Sequence, residues 1–191
     1  MSGGGATPVR CDPCRPIHVV VNAQAAPANG AALAQSAMDE VQRATGLRFV
    51  LDGPTDEVPV EHRSPLDHSR YGKRWSPVLV AWTDPTQVPG LAGPIVGIGG
   101  PGGAPYSSET EKHWVSGIVY LDAPGIAEVL ARPNGMVAAR AIVIHELGHL
   151  VGLDHVNDPS QLMYPHQIDQ STFGPGDLEG LRLLGDGPCF S

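Results

Sequence analysis

Short runs of β-branched and aliphatic residues recur along this chain, separated by stretches rich in glycine and proline, and three segments instead space their apolar residues as helices do. Ile17–Val21 reads as a first strand buried on both faces, because its apolar run lacks the strict alternation of a half-exposed strand. Within residues 31–45, Leu33, Ala34, Ala37, Met38 and Val41 line one face of an amphipathic helix that Gly46 stops. Leu47–Leu51 predicts a second strand and Val78–Thr83 a third. Between them, residues 52–76 are dominated by prolines and charges and predict a long irregular excursion. Pro94–Gly99 reads as a short edge strand before a Gly-Pro-Gly-Gly loop, and Val115–Asp122 as the last strong strand. A long helix is expected over Met136–Gly152, seated against the sheet by Ala138, Ala139, Ala141, Ile142 and Ile144. Pro175 and Asp177 open a closing helix that ends near Gly185. No internal repeat is visible. The elements segregate as an α+β fold, a sheet with a long helix beneath it and a small lower part after Gly152.

The long helix carries the chemistry. Residues 145–155 read His-Glu-Leu-Gly-His-Leu-Val-Gly-Leu-Asp-His, and residues 162–165 read Leu-Met-Tyr-Pro. Histidines four apart lie one above the other on a single helix face, so His145 and His149 can grip one metal ion together. Gly152 accepts a left-handed backbone and turns the chain, which brings His155 back as a third imidazole. Three nitrogen ligands with an open fourth position describe a catalytic zinc site, since structural zinc sites are closed by four protein ligands. Glu146 points about 100° around the helix from His145 and is free to face a zinc-bound water instead of the metal. It would take that water's proton, the hydroxide would attack a carbonyl polarised by the same ion, and Glu146 would hand the proton to the leaving group. A surface helix carrying three incidental histidines would leave the ordered spacing unexplained.

The stretch His145–Pro165 resembles the zinc motif and Met-turn of the metzincin metallopeptidases, and most of all their matrixin branch. The interval from His155 to Met163 and the ending Leu162-Met163-Tyr164-Pro165 are similar to matrixins. Phe173–Gly185 is similar to the last helix of that domain. Val156 departs from the pattern, because matrixins usually place serine after the third histidine. The chain also lacks a recognisable His-x-Asp loop for a second, structural zinc, so it reads as a divergent member.

The resemblance implies a metzincin, zincin-like fold: a twisted, mostly parallel five-stranded sheet with an antiparallel edge strand, a long active-site helix and a small C-terminal subdomain with one helix. It implies one catalytic Zn2+, with Met163 as a hydrophobic floor beneath the histidines and not as a ligand. Tyr164 and Pro165 would wall a substrate pocket, and His166, Gln167, Ile168 and Phe173 either shape that pocket or merely pack the loop. An extended peptide or protein substrate would pair with the edge strand near Pro94–Gly100 by strand addition. Calcium is open by the same analogy, although no EF-hand-like spacing marks a site for it. Secretion to the extracellular space also follows from the resemblance.

Composition narrows the alternatives. A formal charge of −8 without any basic cluster argues against a nucleic-acid partner. No apolar run approaches the ~20 residues that span a bilayer. A chain of 191 residues, 41% of them apolar, suits one catalytic domain over residues 11–191, with an upper part 11–152 and a lower part 153–191, acting as a monomer. Residues 1–10 read as a flexible lead, because Met-Ser-Gly-Gly-Gly-Ala-Thr-Pro has no apolar centre and is not a signal peptide. Joining Cys14 to Cys189 would staple the two termini, with Cys11–Cys189 as the rival pairing. Pro8-Val9-Arg10-Cys11 loosely resembles the Arg-Cys core of the matrixin cysteine switch. It lies just before the first strand with no propeptide ahead of it, and reads as an incidental thiol. His62, Asp67 and His68 read as a solvated loop, His18 and His113 as structural or surface residues, and Asp154 as a loop residue. Two functions remain: a zinc-dependent endopeptidase, and a catalytically silent, zinc-stabilised binding module on the same fold. Glu146 favours the first, because a purely structural site has no use for that carboxylate.

Overall fold

The computed structural model describes residues 8–103, 113–166 and 170–190. In chain order these form β1 (Arg10–Cys11), β2 (Ile17–Asn22), α1 (Gly30–Thr45), β3 (Phe49–Pro54), α2 (His68–Tyr71), β4 (Val78–Thr83), β5 (Gly97–Gly102), β6 (His113–Trp114), β7 (Ser116–Asp122), α3 (Ala123–Leu130), α4 (Gly135–Val151) and α5 (Pro175–Gly185). Five strands make one sheet in the order β3-β2-β4-β7-β5. Its first four strands run parallel, and β5 closes one edge antiparallel to β7. This is the mixed sheet with an antiparallel edge strand that the resemblance implies. β1 and β6 pair separately as a two-stranded parallel ribbon, so the lead expected over residues 1–10 meets a strand at Arg10.

The sheet is buried on both faces, which explains the continuous apolar run of β4, every residue of which is buried. One face packs on α1 and α4. There Val19, Val80, Val119 and Leu121 meet Leu33, Met38, Ile144, Leu147 and Leu150 in a single cluster. Burying each such aliphatic side chain contributes about 1.5–3 kcal/mol relative to leaving it exposed. Arg140 of α4 ties the two helices together through Ser36 Oγ at 2.7 Å and Glu40 at 3.0 Å. The opposite face is covered by the excursion after β3, where Tyr71 packs against Val20, Leu79 and Tyr120. A bidentate ion pair anchors that excursion: Arg63 donates to both Glu57 oxygens at 2.6 and 3.0 Å and to Ser116 Oγ at 3.1 Å.

The structure differs from the sequence expectations in several places. The edge strand is Gly97–Gly102 rather than Pro94–Gly99, so it runs into the segment that read as a loop. The amide of Asp122 donates to Val96. The alternation of an antiparallel ladder then leaves the backbone groups of residues 97, 99 and 101 on the open edge. Pro101 therefore costs no ladder bond, and an edge strand accepts it. The second strand starts two residues late, because Leu47 is fully buried at the turn after α1, its amide bonded to Thr45 Oγ1. Helix α3 was not expected. Asp122 caps it through the Gly125 amide at 3.1 Å, and Pro124 sits in its first turn. On α4, Ala138 is exposed, and Val143, Leu147, Leu150 and Val151 bear on the core instead.

The termini are fastened together. Cys14 and Cys189 form a disulfide with Cα atoms 5.4 Å apart. Arg10 adds a bond to the Pro188 carbonyl at 3.0 Å and lies over the Phe190 ring. Cys11 is free and buried. Burial, with Asp12 beside it, pushes its thiol up to about 12, which suits an inert core residue better than a metal-seeking thiolate.

Candidate active site

Helix α4 ends at Gly152, whose φ of 115° lies in the left-handed region that favours glycine. The turn reverses the chain, and the amide of Leu153 bonds back to the Gly148 carbonyl. His155 thereby returns to the helix face that carries His145 and His149. The three Nε2 atoms lie 3.1 Å from one another in every pairing.

Two backbone carbonyls orient these rings. Nδ1 of His145 lies 2.7 Å from the Leu162 carbonyl, and Nδ1 of His149 lies 2.9 Å from the Leu153 carbonyl. A carbonyl only accepts, so each Nδ1 carries the proton and each Nε2 presents a bare lone pair. Two such lone pairs 3.1 Å apart, with no proton between them, repel unless a cation sits among them. An ion at the usual zinc–nitrogen distance of about 2.0–2.1 Å would space three ligands roughly 3.1–3.4 Å apart, so the donor set fits zinc. Burial lowers the pKa of His145 to about 4 and also lowers that of His149, which keeps both rings neutral as ligands must be.

Glu146 is buried and stands outside this nitrogen cluster. Burial pushes its carboxyl up to about 7, partly countered by a hydrogen bond from the Gly99 backbone. Met163 is also buried. A Cβ placed on Gly148 would come within 2.8 Å of the Met163 sulfur, so that glycine makes room for the thioether directly under the helix between the histidines. The Met163 carbonyl in turn accepts from the Val156 amide at 3.0 Å, and the Val156 side chain itself is exposed.

A polar brace from α5 holds the turn that carries Met163. Asp177 Oδ2 accepts from the Leu162 amide at 2.6 Å and from the Gly174 amide at 3.0 Å. Gln161 Oε1 accepts from the Gly176 and Asp177 amides at 2.8 and 3.1 Å. Leu162 thus meets Asp177 at its amide and His145 at its carbonyl, so α5 reaches the cluster through one residue.

Comparison with known sequences decides the family. The sequence model of the matrixins matches residues 81–182, just over half of the chain. The chain belongs to the matrixin family. Among curated relatives, the macrophage metalloelastase of Oryctolagus cuniculus is 45% identical over 51 residues, a match covering 25% of this chain and 11% of that protein. This matrixin therefore spans only a small part of that relative's length. Among solved structures, the archaemetzincin of Methanopyrus kandleri superposes with a TM-score of 0.53 at 16% identity, covering 86% of this chain and 92% of the other. That likeness extends the metzincin fold to almost the whole matrixin chain. The family is one of zinc-dependent peptidases, and His145, His149 and His155 form a group that could hold a metal ion.

The remaining candidates are distributed less tightly. Tyr164 is half-buried, with its ring edge-on to His166 at 5.1 Å, and Pro165 is exposed. Phe173 is buried against Gly148, while Gln167 and Ile168 lie outside the described residues. His18 pairs with Asp52 at 2.7 Å and His113 stacks on Phe190. His68 bonds the Gly72 carbonyl, and Asp67 caps α2. The second metal-like grouping among the described residues, Asp12 with Cys14 and Cys189, holds no thiolate because its sulfurs are bonded to each other. A cavity of about 650 Å³ lies elsewhere, lined by Ile17, Trp75, Trp114, Leu150 and Phe190 among others, and none of the three histidines or Glu146 borders it. Sequence reading missed the roles of Gly148, Gln161 and Asp177. Their partners are distant along the chain, and only the L-M-Y-P run hinted that this turn is special.

Proposed function

We propose that this matrixin is a zinc-dependent endopeptidase in which His145, His149 and His155 hold the ion and Glu146 moves the proton. The observation that carries the reading is the convergence of three Nε2 atoms at 3.1 Å beside a buried carboxyl that stands outside their cluster. Zinc in such a site supplies Lewis-acid chemistry, which makes a water acidic and a peptide carbonyl electrophilic. Glu146, with a carboxyl near 7, is matched to accept a proton at neutral pH and to return it to the leaving amine. Met163 shapes the floor under the imidazoles, and the carbonyls of Leu162 and Leu153 fix the tautomers of His145 and His149.

An extended peptide would lie along the open edge of β5, bonded by the backbone groups of Gly97 and by the carbonyl of Gly99. Tyr164 and Pro165 would wall the pocket for the side chain beyond the scissile bond. Residues 11–191 would act as one catalytic unit, with the substrate between the part ending at Gly152 and the part that follows. The Cys14–Cys189 disulfide favours an oxidising, extracellular compartment. Among the described residues no helix is long and apolar enough to cross a membrane.

A quenched-fluorescence peptide library tests this reading. Cleavage should vanish on removal of zinc by a chelator and return on its readdition. A protein that binds one zinc yet cleaves nothing in the library would favour the silent, zinc-stabilised module instead.

A further inference from the structure

Strand β5 touches α4 where a side chain would ordinarily separate a sheet from a helix. Successive residues of a strand face opposite sides, so Gly97 and Gly99 share the side toward α4, and Ile98 packs on the far side. A Cβ on Gly97 would come within 2.6 Å of Glu146 Cγ, 2.8 Å of Oε1 and 2.9 Å of Cδ. A Cβ on Gly99 would overlap the Glu146 backbone carbonyl. Real Cβ atoms do not approach that closely, so both positions exclude every residue but glycine unless Glu146 or the helix moves. The Gly99 backbone also hydrogen-bonds the Glu146 carboxyl. Neither glycine has a positive φ, so close approach and not backbone geometry accounts for them.

We infer that Gly97 and Gly99 are positioning residues for Glu146, Gly97 by leaving the one space its carboxyl can occupy and Gly99 by setting strand-to-helix contact and donating to that carboxyl. This rests on the assignment of Glu146 as the proton-transferring group. A side chain at 97 would displace that carboxyl, whose atoms are the three nearest to the added Cβ. Because these two glycines also expose their backbone on the open edge of β5, the same stretch of chain holds the proton carrier and receives the substrate. Glycine at 97 then answers a steric demand of the carboxyl and glycine at 99 a demand of the helix backbone, with poor strand propensity as the cost.

A four-protein set tests the inference: wild type, Gly97→Ala, Glu146→Ala and the double variant, each measured for urea unfolding, zinc affinity and peptide hydrolysis. Alanine in place of a strand glycine is ordinarily neutral or stabilising where it fits. Gly97→Ala should therefore destabilise the protein when Glu146 is present and be neutral or stabilising in the Glu146→Ala background, a coupling that a contact-free position would not give. Hydrolysis by Gly97→Ala should lose kcat by about 10–100-fold, with KM and zinc affinity close to wild type, as expected when a reacting group is displaced by roughly 1 Å. If Gly97→Ala alone does not fold, the double variant should, because its obstacle has been removed. An equal stability change in both backgrounds, failure of both to fold, or full kcat in Gly97→Ala would overturn the inference. A silent wild type would instead strike at the role of Glu146, while the stability cycle still decides whether Gly97 governs its placement.

Discussion

Removing the carboxylate of Asp177 should loosen the zinc site from a distance. Asp177→Ala deletes the acceptor for two buried amides, those of Leu162 at 2.6 Å and Gly174 at 3.0 Å. Bonds from backbone amides to a charged acceptor contribute about 1.5–3 kcal/mol each, so the loss of two should be on the order of 3–6 kcal/mol. That is a large fraction of the roughly 5–15 kcal/mol that holds a domain folded, but it leaves a folded protein to measure. The second effect is more diagnostic. The Leu162 carbonyl orients His145 through Nδ1 at 2.7 Å, so freeing the Leu162 peptide should weaken zinc binding by about 10–100-fold, the usual cost of losing an outer hydrogen bond to a ligand. Asp177→Asn keeps one carbonyl oxygen toward the same amides and should fall between alanine and wild type. Urea unfolding of the zinc-free proteins reads the first effect, and competition with a chromophoric chelator reads the second. Asp177→Ala with wild-type stability and wild-type zinc affinity would refute the claim that α5 braces the site through Leu162.

Three further outcomes follow from other parts of the fold. Cys11, buried and with its thiol pushed up to about 12, should resist a thiol-reactive dye in the native protein and react fully in denaturant; rapid native labelling would contradict its burial. The disulfide closes a loop of 175 residues, so Cys189→Ser should lower stability by about 5 kcal/mol in the chain-entropy model, and an unchanged unfolding midpoint would show that it constrains nothing. Burial raises the Glu57 carboxyl, but the bonds and charge of Arg63 and the Tyr71 hydroxyl outweigh it and hold the group below its ordinary 4.5. A depressed carboxyl contributes stability above its unfolded value and loses it as pH falls through the folded one. Glu57→Gln should therefore cost on the order of 1–3 kcal/mol at pH 7, with the difference from wild type shrinking below about pH 4; a deficit independent of pH would contradict the ion-pair account.

What was legible in the sequence was written locally. Gly46 and Gly152 stop α1 and α4 where a left-handed residue is needed, and Pro175 opens α5, so punctuation and caps coincide. The three histidines are readable because two share a helix face and the third follows a glycine turn, a geometry that spacing alone dictates. What escaped reading depends on partners far along the chain. Nothing in residues 97–102 says that Gly97 and Gly99 face Glu146 and that the nitrogen of Pro101 faces outward, so the segment after Gly99 looked like a loop. Nothing near Asp177 says that its carboxylate reaches Leu162. Helix α3 is the instructive miss, since Asp122 and Pro124 form a legible start that the strong strand before it concealed.

The most direct test of the central claim compares wild type with Glu146→Ala on one cleavable peptide, with zinc content measured on the same samples. Glu146 stands outside the ligand cluster, so both proteins should hold one zinc. Loss of a general acid–base group should lower kcat by about 10²–10⁴-fold. Equal hydrolysis by two equally loaded proteins would contradict the role assigned to Glu146, and loss of zinc from the variant would contradict its separation from the ligands.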